Sequence, residues 1–406
     1  MKTFSRCWAI IDLDVIENNV RELKGLIPAD CRFMAVIKAE GYGLGMLPVA
    51  EACLAGGANW FGVATLQEAV ELRQAGIEEP ILVLGVTPPS WAKELSEFHI
   101  AQTVPSLEYA RQLSENLNKD CEPIAAHIKI DTGMGRLGWY TSLTTLDEVV
   151  NEIKKVHELS NIIIQGVFTH LSSSRDASIE AVGHTKNQLQ IFLALCGEVE
   201  KAGIHIPLRH ALNTGGLINY TNYSLEMVRI GHIIYENIEA IESDQCNPAV
   251  KSAIEIKASI AFIKEVPTGT AIGYDRMYIT TRPTRIAVLG LGYCDGYNAF
   301  LTNKGRMLLR GQFVPVIGRV CMDQLIIDIT DMAEATIGDV VTIVGNDGDK
   351  SITMCQILGQ AKGIMNGPVS SCISNRMQRY YRKNGEIIAY ADARLEYISC
   401  SGVQLP

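Results

Sequence analysis

One alternation constrains this chain more than any other feature. From Trp8 onward, short apolar runs take turns with segments of helical period, and the pattern persists for more than two hundred residues. Short runs suit strands buried on both faces, and segments with apolar positions three and four apart suit helices, so the text predicts repeated β-α units. Strands are predicted at WAIIDL from Trp8, FMAVIK from Phe33, WFGVAT from Trp60, ILVLGV from Ile81 and HIAQTV from His99. They continue with IAAHIKI from Ile124, IIIQGVFTH from Ile162, LRHAL from Leu208 and EMVRIG from Glu226. Helices such as LDEVVNEIKKVHEL from Leu146 and KNQLQIFLALCGEVEKAG from Lys186 fall between them. Roughly eight parallel strands with intervening helices predict a (β/α)8 TIM-type barrel, placed over residues 1–240. A doubly wound open sheet is the competing layout, and the lack of a G-x-G-x-x-G after the first strand counts against it.

Past residue 240 the texture changes. IEIKASIAFIKEV, TRIAVLGLG, FVPVIGRVCM, QLIIDIT and DVVTIVG are short, β-rich and separated by turn residues, with no helices between them. They predict a second domain over 241–406, mainly antiparallel β. A helical pattern returns at Met354 to Ile364, followed by two strands around Arg379 and Ile387, and the tail from Ala391 has no assignment.

A formal charge of −9 argues against a nucleic-acid surface. No run of eighteen apolar residues is present, and MKTFSRCWAIIDLD lacks the features of a signal peptide, so the chain reads as cytoplasmic, with no membrane partner. Eleven scattered cysteines with no C-x-x-C pair indicate neither a disulfide framework nor a metal site.

In a barrel the chemistry collects at the carboxyl ends of the strands. Lys38 ends FMAVIK, and glycines at 41, 43 and 45 interleave with Tyr42 directly after it, allowing tight turns and close approach of backbone to a ligand. A lysine facing a low-dielectric pocket has its pKa depressed and becomes a Schiff-base nucleophile or a proton acceptor. Lys129, Asp131 and Arg136 lie in HIKIDTGMGRLGW, His170 ends GVFTH, Asn213 and Thr214 follow RHAL, and Arg229 ends MVRIG. Cations, hydroxyls and glycine turns together suit an anionic ligand, above all a phosphate, cradled near Thr214 to Gly216 and Gly231 to His232. Taken singly, each residue has a structural reading as well: a loop ion pair for Asp131 or Arg136, a core histidine for His170, a surface cation for Arg229. Their joint placement favours a site.

These motifs, with IGYDRMY and GRVCMDQ from the second domain, resemble the alanine racemases, pyridoxal-phosphate enzymes built of a barrel followed by a β-domain. VIKAEGYGLG, IKIDTGMGRLG, MVRIG, IGYDRMY, GLGYCDGY and GRVCMDQ follow in the family's order across nearly the whole chain. The resemblance implies that Lys38 carries pyridoxal 5'-phosphate and moves the substrate α-proton on one face, while Tyr274 serves the other. His170 would hydrogen-bond Tyr274, and Arg229 would hydrogen-bond His170 and face the pyridine nitrogen. Tyr42, Thr214, Gly231 and His232 fall at phosphate-binding positions, and Arg136 and Met322 at substrate-binding ones. Lys129 matches a residue that is carbamylated in some members. Tyr274 and Met322 would enter the site from a neighbouring subunit, implying a homodimer.

The chain departs from the family's usual text in three places. Asn375 in ISNR and Gly367 in MNGPVSS stand where tyrosines are common, and Glu40 stands for a common asparagine. An amide in place of a phenol ring enlarges the substrate pocket and offers a donor and an acceptor to a polar side chain. Alanine and serine therefore both stand as expected substrates. A non-catalytic pyridoxal-phosphate carrier would lack the β-domain and Tyr274, and a decarboxylase of related architecture fits IGYDRMY poorly.

Overall fold

The structure, a computed structural model, describes residues 6–118, 120–236, 248–360, 373–391 and 397–399. Eight parallel strands form a nearly closed barrel. In spatial order they are Met227–Ile230, Arg32–Val36, Trp60–Val63, Ile81–Val83, Ala101–Val104, Ile124–Asp131, Ile162–Phe168 and Leu208–His210. The first and last of these have no ladder between them, but Arg229 N donates to Leu212 O at 3.0 Å and bridges the seam. Alternate residues point inward, as the two-residue period of a strand requires. Met34, Trp60, Leu82, Ala101, Leu208 and Met227 fill one interior layer with apolar volume. One step further along three of the same strands stand Val36, His210 and Arg229, so the polar residues lie toward the carboxyl end.

The outer helices form for local reasons. Leu146–His157 buries Val149, Val150, Ile153 and Val156 along one stripe, with Asp147 and Glu148 in its first turn and Lys154, Lys155 and His157 in its last, each charge opposing the end of the helix dipole it faces. Thr65 and Glu68 form a capping box at the start of Leu66–Gln74. Among the described residues no helix is long and apolar enough to cross a membrane.

The run at Trp8, predicted as the first barrel strand, belongs to the other sheet. Cys7–Asp12 pairs antiparallel with Ile254–Val266 and parallel with Gln378–Lys383, and the barrel begins instead at Arg32. A strand apolar on both faces suits either sheet, and the ladder partners that decide the matter lie far away in the sequence. The mainly antiparallel β-domain is otherwise built from the predicted runs, with Ile254–Val266 against Thr284–Leu289 and Val340–Asp347, and Leu325–Asp328 beyond Thr284–Leu289. A strand pair over Arg306–Leu309 and Gln312–Pro315 extends the sheet. Gln378–Lys383 pairs with Glu386–Ala391, and Tyr397–Ser399 adds a strand within the unassigned tail. The helix at Met354 runs to Gln360. The boundary expected at 240 and 241, residues 361–364 of that helix and Gly367 lie outside the described residues.

Candidate active site

The residue after Lys38 begins a backbone conformation that the glycines alone do not announce. Ala39, Glu40, Gly41 and Tyr42 all occupy the left-handed region, with φ between 52° and 59°. Such a run is costly for L-residues, about 1–2 kcal/mol each. It is held by Gly41 N on Ile37 O and Gly45 N on Glu40 O, both at 2.8 Å. Glu68 adds a third tie, accepting Ala39 N at 2.7 Å. A side chain at Gly45 would be strained, because φ there is +104° and a Cβ would lie 2.0 Å from Tyr381 Oη. The turn sets Lys38 at its first position, two residues past the strand end.

Lys38 lines a cavity of about 750 Å³ at the carboxyl end of the barrel. Of the residues expected from the sequence, Arg136, His170 and Arg229 share that cavity, as do Tyr42, Thr214, Gly231 and His232. Lys129 lines it too. Five lysine and arginine side chains, counting Arg175, line this space with a single carboxylate, Asp176. Burial, with Arg136 nearby, pushes the Lys38 amine below its ordinary range. Burial and the charge of Arg229 bring Lys129 down to about 7, where it rests its ammonium on the Ile130 carbonyl and over the Phe168 ring. His170 is pushed well down by burial and by Arg229, so it is neutral at neutral pH. Arg229 Nη2 lies 3.5 Å from His170 Nδ1, and the guanidinium's positive edge favours a lone pair over a proton on that nitrogen, which places the His170 proton on Nε2.

Asp131 and Asn213 brace the site, and Asn213 also lines the cavity. Asp131 accepts the backbone N–H groups of Gly133, Met134, Gly135 and Arg136 at 2.8–3.1 Å and so shapes the loop that carries Arg136. Burial alone would raise its carboxyl, but these four donors outweigh it and hold the pKa below the ordinary value. Asn213 caps the helix Thr214–Asn219, accepting from Gly216 N and Ser174 Oγ and donating to Leu171 O. The loop Ser172 to Asp176, which also lines the cavity, was not singled out in the sequence. A polar run after a strand-end histidine was its only signal.

Tyr274, Met322 and Asn375 do not reach this cavity within one chain. Tyr274 tips a hairpin between Ala271–Ile272 and Tyr278–Ile279 and is 66% exposed. Left-handed Gly273, Asp275 and Arg276 flank it, and Arg319 pairs with Asp275, so the ring is held outward on an ordered turn. Met322 is half exposed and Asn375 exposed. Met277, Ile279, Tyr293 and Phe300 add to the apolar surface left open on this domain.

Comparison with known proteins accords with this arrangement. The family profile described as alanine racemase, N-terminal domain, matches residues 11–237, and that described as alanine racemase, C-terminal domain, matches residues 253–381. The chain belongs to the alanine racemase family. Alanine racemase of Clostridium perfringens is 38% identical over 381 residues, 94% of this chain and 96% of that protein. The alanine racemase of Methanococcus maripaludis is 37% identical over 376 residues, 92% of this chain and 98% of the relative. Among solved structures, alanine racemase from Bacillus anthracis with bound L-Ala-P superposes with a TM-score of 0.88 at 29% identity, covering 97% of this chain and 99% of that one. The enzyme of Clostridium difficile 630 gives 0.87 at 30% identity, covering 97% and 100%. This family of amino-acid racemases thus accounts for both domains.

Proposed function

We propose that the protein interconverts L- and D-alanine with pyridoxal 5'-phosphate, as a homodimer whose sites combine Lys38 of one subunit with Tyr274 of the partner subunit. The observation that carries this reading is the cavity itself: an amine of lowered pKa, a neutral histidine and a buried arginine stand beside backbone and hydroxyls suited to a phosphate. The residues fit that group. The Tyr42 and Thr214 hydroxyls have no acceptor or donor among the described residues. A Cβ at Gly231 would lie 2.5 Å from Tyr42 Oη, so the glycine keeps the backbone open there.

When bound, pyridoxal phosphate supplies the conjugated ring that spreads the negative charge developing at the substrate Cα. The protein supplies the proton carriers and the orientation. Lys38, whose lowered pKa favours the neutral amine, accepts or returns the α-proton on one face. Racemisation needs a second carrier on the other face, since one base could only restore the original hand. Tyr274 of the partner subunit fills that role, with the Nε2–H of His170 donating to its phenol oxygen; a donor there favours the phenolate. Arg136 binds the substrate carboxylate, and Asp131 holds the loop that carries it.

The test is proton NMR of the holoenzyme with L-alanine in D₂O alongside chiral analysis. Loss of the α-proton with formation of D-alanine is expected. Exchange with retained configuration would remove the two-base reading, and an absence of exchange in cofactor-loaded protein would remove alanine as substrate. Serine remains a second reading, favoured by the exposed Asn375 amide next to Arg376, and the same experiment with L-serine decides it.

A further inference from the structure

Below the floor of the cavity, a row of polar groups crosses the barrel interior. Arg229 Nη1 donates to His210 Nδ1 and to the His210 carbonyl, both at 3.0 Å. Its Nη2 donates to the carbonyls of Thr169 and Ala211 at 2.7 and 3.1 Å. His210 Nε2 meets His127 Nδ1 at 2.8 Å, and His127 Nε2 meets Gln165 Oε1 at 3.3 Å. Both imidazoles are fully buried. Gln165 is half-buried and lines a second cavity, of about 360 Å³, among residues at the amino-terminal ends of the strands.

The chemistry of the row gives it a direction. A guanidinium has no acceptor, so His210 Nδ1 must accept, and a neutral His210 carries its proton on Nε2. That proton is donated to His127 Nδ1, which leaves the His127 proton on Nε2, facing the Gln165 oxygen. A charged ring at either position would set one donor against another. Burial, with Arg229 close by, holds His210 far below the imidazole range, and burial brings His127 down to about 4. The neighbours make room for the row: a Cβ at Gly166 would lie 2.4 Å from His127 Nδ1, and Phe168 stacks on His210 at 4.8 Å and 5°. With both terminal nitrogens engaged, Nε is the Arg229 donor with no acceptor among the described residues, and Arg229 lines the upper cavity.

We infer that His210 and His127 are positioning residues, forming a one-way chain of donors from Arg229 through both rings to Gln165 that fixes the guanidinium with its Nε–H toward the substrate cavity. The use made of Arg229 rests on the proposed racemase; the direction of the chain does not. The row is no proton wire. Burial and Arg136 bring Arg229 down to about 9, so it keeps its proton at neutral pH and nothing passes that point.

The test begins with the holoenzyme labelled with ¹⁵N-histidine and read by long-range ¹H–¹⁵N correlation, with His127→Gln assigning the rings. Two neutral Nε2–H rings that do not titrate between about pH 6 and 9 are expected. An Nδ1–H tautomer or a charged ring at either position would overturn the inference. His127→Phe removes the acceptor, and Gly166→Ala displaces the ring without altering any member of the chain. Both should lower kcat about tenfold with KM little changed, and shift the visible absorption of the bound cofactor. His127→Gln, whose amide oxygen can accept from His210, should recover most of the loss. Wild-type kcat and absorption in folded His127→Phe and Gly166→Ala proteins would contradict the inference. Should either variant fail to fold, the tautomers of the unaltered enzyme still decide. A holoenzyme that racemises nothing yet shows both tautomers would leave the chain standing and remove the function.

Discussion

Arg376 Nη2 donates to Asp323 Oδ1 at 2.7 Å, joining the residue after Asn375 to the residue after Met322. Behind that exposed pair lies Asp295, fully buried, which accepts Arg6 Nη2 at 2.6 Å and Gly292 N at 2.9 Å and has Arg376 Nε at 3.6 Å. The two loops that carry Asn375 and Met322, both expected at the substrate, are thus joined to each other, and Arg376 and Arg6 link them to the Asp295 carboxylate.

The two aspartates should differ in weight. Asp295→Asn weakens buried, charge-assisted bonds and is expected to cost about 1–3 kcal/mol in urea denaturation. Asp323→Asn breaks a pair half exposed to water and should cost less than about 1 kcal/mol. Equal costs would mean that burial does not set the strength of this network.

Glu40→Asn should stabilise the protein. Asparagine tolerates the left-handed region better than glutamate, a gain of about 0.5–1 kcal/mol. Burial also raises the Glu40 carboxyl above its ordinary value. A raised acid pKa means that the folded state disfavours the carboxylate, so the wild-type penalty is present at neutral pH, fades as pH falls through the raised folded value and is gone below the ordinary value of 4.5. Denaturation at neutral pH should show a larger gain than denaturation near pH 4. A uniform gain would leave only the backbone effect.

Lys129 imposes the opposite kind of dependence. Its folded pKa is lowered from 10.5 to about 7, so between those values the unfolded chain holds the extra proton and stability rises with pH. For an unmodified lysine this slope is about 1.4 kcal/mol per pH unit at most. Lys129→Met should flatten it when unfolding is compared at neutral and mildly alkaline pH. An unchanged slope would assign the effect to another group.

A site shared between subunits, as proposed, predicts complementation. Lys38→Ala and Tyr274→Phe homodimers should each lose nearly all racemase activity. Mixed after reversible dissociation, they form heterodimers in which one site holds both native residues, and activity should return. A mixture as inactive as its components would place both residues in the same subunit's site.

The legibility of the sequence followed the range of the physics involved. Strand ends, and with them Lys38, His170 and Arg229, show in local apolar periodicity, because a barrel puts its polar residues where each inward stripe ends. Cys7–Asp12 went to the wrong sheet because burial is local while strand pairing is not. The glycines after Lys38 announced a turn, but Ala39, Glu40 and Tyr42 in left-handed geometry are held by contacts such as Glu68 that spacing does not report. The His127–His210 pair is invisible for the same reason, each residue reading alone as part of a strand.

Asn375 carries the last prediction. It stands exposed on a loop whose next residue is paired with Asp323, and its amide has no hydrogen-bond partner among the described residues. The family resemblance implies that this position borders the substrate, where an amide would partner a hydroxyl and a tyrosine ring would narrow the pocket. Asn375→Tyr is therefore expected to depress kcat/KM for serine several-fold more than for alanine, since leaving a hydroxyl unpartnered costs about 1–3 kcal/mol. Measured side by side, equal losses would show that position 375 sets pocket volume for both substrates alike, and the serine reading would fall with it.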